Sequence, residues 1–148
     1  FLEVIVSNHD AFVQISKPDG LIHFYMLDAA WWSMFINSPW ALVSGLFRPW
    51  LGEANGFTGL IAALENLFLL ILLLSTFFRK SWRTNHPLLL TTIIVYVVLL
   101  CALLALSTPN LGTLSRYRVG FLPFFVFVIA YGNPLIEKIR QSTWHRHK

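Results

Sequence analysis

Cysteine is nearly absent. The single thiol, Cys101, has no partner within the chain, which excludes a disulfide scaffold and a thiolate metal site. Charge is scarce as well. Asp, Glu, Lys and Arg make up 12% of the 148 residues, about half the usual share of a soluble domain. Acids all but vanish after Glu65, with only Glu137 following. A charge-rich disordered chain is excluded, and an ordinary water-soluble globule fits poorly. No glycine loop that would cradle a phosphate occurs. The five histidines (His9, His23, His86, His145 and His147) show no recurring metal-ligand spacing. The HRH at 145–147 reads as a solvated tail. Ser107, Thr113 and Ser115 have no His or Asp beside them for a hydrolytic triad. No metal and no cofactor are therefore expected.

What is present is apolar. Hydrophobic residues account for 56%, and the mean hydropathy is +0.63. Three stretches are almost free of charge. Between Ala54 and Phe78 the only ionisable residue is Glu65. Between Thr84 and Ser115 there is no Asp, Glu, Lys or Arg. Between Val119 and Ile136 there is again none. A crossing of about 30 Å needs about 20 apolar residues, so each stretch is long enough, the last one barely. The fold class expected is an all-α membrane protein. It has three transmembrane helices, at 57–78, 87–107 and 119–136, together with interfacial helices and a short N-terminal extracytoplasmic segment.

The remainder divides around these spans. Residues 1–27 read as the extracytoplasmic segment. Two β-prone runs, AFVQIS and LIHFYM, flank the turn KPDG and predict a hairpin. Residues 28–56 hold four of the six tryptophans: Trp31, Trp32, Trp40 and Trp50. Tryptophan favours the headgroup level. Asp28 can cap a first helix, and Ser38–Pro39 resembles an N-cap followed by proline at the start of a second. Two interfacial helices are the reading here, with a broken span as the alternative. Residues 51–58 read as a loop, as do 79–86 and 108–118. Residues 137–148 form a basic tail. The chain begins at Phe1 without a basic segment, short apolar core and cleavage site, so no signal peptide is read. A first residue other than Met points to a fragment or a processed product.

Charge also orients the chain. Residues 1–65 carry six acids and two bases, whereas 66–148 carry one acid and nine bases. The bases flank apolar runs and form no single stripe, so nucleic acid is not expected as a partner. Arg79, Lys80 and Arg83 fall on the same side as Lys138, Arg140, Arg146 and Lys148. The positive-inside rule makes that side cytoplasmic. The N-terminal region and the 108–118 loop then face outward.

Two polar loops meet on the outward side. They bring Arg48, Glu53, Asn55, Asn110, Arg116, Tyr117 and Arg118 to the interface. In extended chain Arg116 and Arg118 point the same way. Paired guanidinium groups can fork onto a phosphate. The plainer reading is that they anchor a helix to headgroups and pair with Glu53. Glu65, followed by Asn66, lies inside the first span, where a lone carboxylate is expensive. It reads either as a general base or proton relay, or as an ion-pair partner of Arg116 or Arg118. No second carboxylate accompanies it at that depth.

The motifs FRPW at 47–50, EN at 65–66 and NxGTxxRYR at 110–118 together resemble a known pattern. It is that of the C-terminal membrane region of bacterial polytopic envelope-glycan proteins, the glycosyltransferase-like or O-antigen-polymerase-like membrane proteins. The resemblance covers roughly residues 45–130. It implies multi-pass placement in the bacterial cytoplasmic membrane and work on a lipid-linked diphosphate sugar. The substrate-binding set would be Arg48, Glu53, Asn110, Arg116 and Arg118. Such proteins have more spans than these, and their catalytic acid lies in an early outward loop that has no recognisable counterpart here. The other class is a non-catalytic membrane subunit or scaffold that packs against a partner protein.

Overall fold

The computed structural model describes residues 1–54, 56–78, 86–131 and 133–138. Among the described residues the helices that position the site are α1 (Leu2–Ile15), α2 (Trp31–Phe47), α3 (Gly56–Thr76), α4 (Pro87–Ser107), α5 (Leu111–Tyr117) and α6 (Leu122–Ala130), and residues 134–138 are helical as well. Short 3₁₀ turns lie at Pro18–Gly20, Leu51–Glu53 and Arg118–Gly120. Among the described residues there is no strand, only an isolated antiparallel bridge between Leu21 and Asn110.

The first segment is not a hairpin. Residues 2–15 are helical, because Leu2, Ile5 and Val6 recur at helical spacing and pack against Ala105, Leu106 and their neighbours. The β preference of the run is the weaker influence, since no partner strand is at hand. The turn at KPDG does form, as the 3₁₀ turn Pro18–Gly20.

Residues 31–47 are one helix, not two. Ser38 caps nothing, and its hydroxyl donates to the Met34 carbonyl at 2.7 Å. The Asn37 amide likewise donates to the Ser33 carbonyl at 2.9 Å. The helix continues through Pro39, whose missing N–H leaves the Phe35 carbonyl without its usual helical donor. Asp28 does not cap the helix. Its carboxylate accepts the Ala30 N–H at 3.2 Å, and Ala30 is the N-cap.

α3 and α4 are each long and apolar enough to cross a membrane. The expected third span is broken. Helix begins eight residues earlier than Val119, at Leu111, because Asn110 accepts the Thr113 N–H at 3.1 Å and caps it. The run then bends by 66° between Leu111–Gly120 and Leu122–Ala130. Counted as one bent span, the pair is the third candidate. Pro123 sits at the start of α6, where a missing donor costs least. Asn133 closes the far end. Its side chain donates to Leu72 and Ile129 carbonyls at 3.0 and 2.9 Å and accepts from Ser75 at 3.0 Å.

α2 runs inward from the end where α3 begins and α4 finishes. Met34 packs with Ala105, Leu106 and Leu111. Phe47, at its other end, packs with Leu69, Leu72, Val97 and Cys101, near the middles of α3 and α4. The chain then doubles back through residues 48–54 to Gly56. α2 is thus one helix whose end lies against the middles of α3 and α4, and after it the chain turns back towards the start of α3. The 79–85 segment, the 139–148 tail, Asn55 and Gly132 lie outside the described residues, and with them most of the bases that orient the chain.

Candidate functional site

The doubling-back point brings four polar residues together. The Arg48 guanidinium grips Glu53 with two bonds, Nε to Oε2 at 3.0 Å and Nη2 to Oε1 at 2.8 Å. Glu53 also accepts the backbone N–H of Trp50 at 3.1 Å, which ties the carboxylate to the start of its own 3₁₀ turn. Arg118 donates through Nη1 to the Asn66 side-chain oxygen at 2.7 Å and through Nη2 to the Arg48 carbonyl. The Asn66 amide in turn donates to the Pro49 carbonyl at 3.2 Å. One network thus joins the end of α2, the middle of α3 and the break between α5 and α6.

Depth gives the network its meaning. Asn66 lies half-way along the 21-residue α3, about 15 Å from the Gly56 end at 1.5 Å per residue. Tyr96, near the middle of α4, donates to the Gly120 carbonyl at 3.0 Å. Arg118 therefore sits at the middle of the candidate spans. Only 6% of it is exposed. A guanidinium has five N–H groups, and two of Arg118's are matched above. Its Nε is buried with no hydrogen-bond partner among the described residues. No carboxylate lies within ion-pair distance of it there; the one Arg–carboxylate pair is Arg48–Glu53.

A cleft of about 300 Å³ opens beside this network. It is lined by Asp19, Pro49, Glu53, Thr58, Leu111 and Ser115, among others. It reaches from the loop end, where α3 and α5 begin, to the residues that hold Arg48. The two polar loops expected to meet do share this cleft. No arginine lines it directly; the guanidinium groups lie behind Pro49 and Glu53.

The individual positions differ from the extended-chain reading. Arg116 and Arg118 do not point the same way, because residues 111–120 are helical and residues two apart on a helix do not share a face. Arg118 is buried and Arg116 is exposed. Tyr117 is exposed too. Asn110 is occupied with capping α5 and donates to the Ser16 hydroxyl at 2.7 Å. Glu65 is exposed, and Asn66 beside it makes the bond to Arg118. The sequence contains the signal for this swap. Ala63, Asn66, Leu69, Leu72 and Ser75 recur every third residue and form the buried stripe of α3, which leaves Glu65 off it. The carbonyls of Arg48 and Pro49 as acceptors have no signature in residue type.

The Glu53 carboxyl is held below the usual carboxylate range. Burial favours its neutral form, but the Arg48 hydrogen bonds, the Trp50 N–H and the Arg48 charge outweigh that. A depressed carboxyl stabilises the fold above its unfolded pKa, and that contribution is lost as pH falls through the folded value. Trp50 fluorescence is expected to stay constant through the ordinary carboxylate range and to change only at more acid pH. Glu53→Gln should abolish this acid transition. A wild-type transition within the ordinary range would show that the clamp is weak.

Among the described residues no group of His, Cys, Asp and Glu could hold a metal ion. Comparison with protein families, curated protein sequences and solved structures finds no match to this chain.

Proposed function

We propose that the chain is part of an integral membrane protein that handles a lipid-linked saccharide in bacterial envelope glycan assembly, with the anionic phosphate end of the substrate bound at Arg118. The carrying observation is Arg118 itself. It is a buried guanidinium at mid-span, its Nε without a hydrogen-bond partner among the described residues and its hydrogen bonds made to neutral oxygens. Among the described residues no carboxylate is within ion-pair distance of it, although the Glu65 charge acts on it from further away, and an intramembrane charge so placed is costly and a functional-site hypothesis by default. The break in the third candidate span supports the reading, since discontinuous helices form binding sites near the bilayer midplane. The cleft offers a route from the loop end. Glu53 and Ser115 on its wall suit sugar hydroxyls better than phosphate. The saccharide class rests on the resemblance of FRPW and NxGTxxRYR. In this reading Arg48 positions Arg118 through its carbonyl, and Arg116 and Asn110 take no part in gripping phosphate. In this reading the protein crosses the cytoplasmic membrane several times with its C-terminus inside, a placement that the Lys and Arg count supports.

The second reading is a non-catalytic subunit or scaffold. One observation favours it: the same bonds fasten α2, α3 and the α5–α6 break into one unit. Binding of a prenyl diphosphate probe to the protein in lipid nanodiscs separates the two. Wild type is expected to bind, and Arg118→Lys, assayed at a temperature where it remains folded, should weaken binding at least tenfold, because lysine keeps the charge and loses the fork. A wild type that does not bind, or a folded lysine variant that binds as well as wild type, would overturn the anion-site reading and leave the scaffold reading.

A further inference from the structure

Glu65 is an anomaly. It is exposed on α3 beside Ile61, Leu64 and Phe68, which are also exposed. That face belongs to a candidate span, so its surroundings in a bilayer are hydrocarbon. Carboxylates at such depth face a bundle interior or a partner. Glu65 has neither among the described residues, for no hydrogen bond or ion pair there involves it. A second charge shares the predicament. Arg116 is exposed on α5 and likewise makes no hydrogen bond or ion pair with a described residue.

These two charges are opposite in sign and close in level. Glu65 precedes Asn66, which bonds Arg118, and Arg116 lies less than one helical turn before Arg118. Glu65 is also within electrostatic reach of Arg118. α3 and α5 line one cleft, through Ala62 and Ser115 among others, so the helices that carry the two charges are neighbours.

We infer that two copies of this chain pair through the flank formed by α3 and α5, with Glu65 of each copy meeting Arg116 of the other. A two-fold axis along the membrane normal keeps every residue at its own depth, so groups at one level can meet across it twice. Two ion pairs then form together, and Ile61, Leu64 and Phe68 supply the apolar surface around them. The inference is independent of the proposed anion site, since neither residue contributes a bond to Arg118.

The test uses two differently tagged copies of the protein, co-expressed and extracted in mild detergent. Wild-type copies are expected to co-purify. Glu65→Arg in both copies, or Arg116→Glu in both, should lower recovery at least tenfold. Combining one E65R copy with one R116E copy should restore it, because each altered charge then meets its complement. Glu65→Gln, which adds no charge to the span, should lower recovery in the same direction and guards against failed insertion. The inference is overturned if wild-type copies do not co-purify, whether because another protein or lipid covers the face. It is also overturned if the single changes leave recovery intact. Rescue by E65R and R116E in one chain, without rescue by mixing, would place the pair within a single copy and overturn it as well.

Discussion

Gly45→Leu is expected to break the contact between α2 and α4 and to lower unfolding stability in detergent by about 3 kcal/mol or more, beyond the 1–3 kcal/mol typical of added core methylenes. A Cβ at Gly45 would lie 2.5 Å from the Cys101 sulfur and 3.4 Å from the Ala105 methyl. Cys101 is fully buried, so its sulfur has little room to rotate away. Alanine at the same site is the sharper probe, because two effects oppose each other. Helix propensity favours alanine over glycine by about 1 kcal/mol, while the clash costs about 1–3 kcal/mol. In the wild-type background the clash wins and Gly45→Ala destabilises. In a Cys101→Ala background the sulfur is gone and only the propensity gain remains, so the same change should stabilise by up to about 1 kcal/mol. A sign that does not reverse would mean that α2 and α4 meet elsewhere.

That contact shows what the sequence could and could not convey. The two long candidate spans were legible, since about 20 apolar residues broken by at most one charge have few alternatives to a membrane-crossing helix. The fate of residues 28–50 was not. Four tryptophans and an internal proline fit an interfacial pair, a broken span or a returning helix equally well by composition. What decides among them is Gly45 nestling on Cys101 and Phe47 reaching Leu69 and Val97, contacts between residues far apart in the chain. The N-terminal helix was hidden differently. Its β-branched residues suggested strand, yet a three-and-four spacing of apolar side chains needed only α4 nearby to settle as helix.

The candidate site was legible as a set and not as an arrangement. FRPW, EN and the arginine-rich loop do converge. Which arginine is buried depended on treating residues 111–120 as helix, and the charge-free stretch placed the helix start at Val119 instead. An Asn110 cap followed by LGTLSRY was readable as a helix start, but the whole of 108–118 read as a polar loop. Within one copy the side chain that bonds Arg118 is Asn66, one position on from Glu65. On a helix one position is 100°, enough to move a side chain from the core to the outside.

Asn66→Leu is the change expected to cost most at that site. Leucine fits the buried stripe of α3 and satisfies the hydrocarbon surroundings, so by hydropathy it should be harmless. It removes, however, the oxygen that accepts from Arg118 and the amide that donates to the Pro49 carbonyl. Arg118 loses its one side-chain acceptor and keeps only the Arg48 carbonyl, and leaving a buried polar group short of a partner costs about 1–3 kcal/mol, more where the group is charged. Arg118→Met in the same chain should recover most of that loss, because no buried charge is then left to solvate. The two single changes and the double change form a cycle whose interaction energy is expected to exceed about 1 kcal/mol. The measurement is chemical unfolding of the protein in detergent micelles, followed by tryptophan fluorescence. Equal and additive losses from the two substitutions would mean that Asn66 and Arg118 act separately, and that the network does not hold the re-entrant end of α2 at the middle of the span.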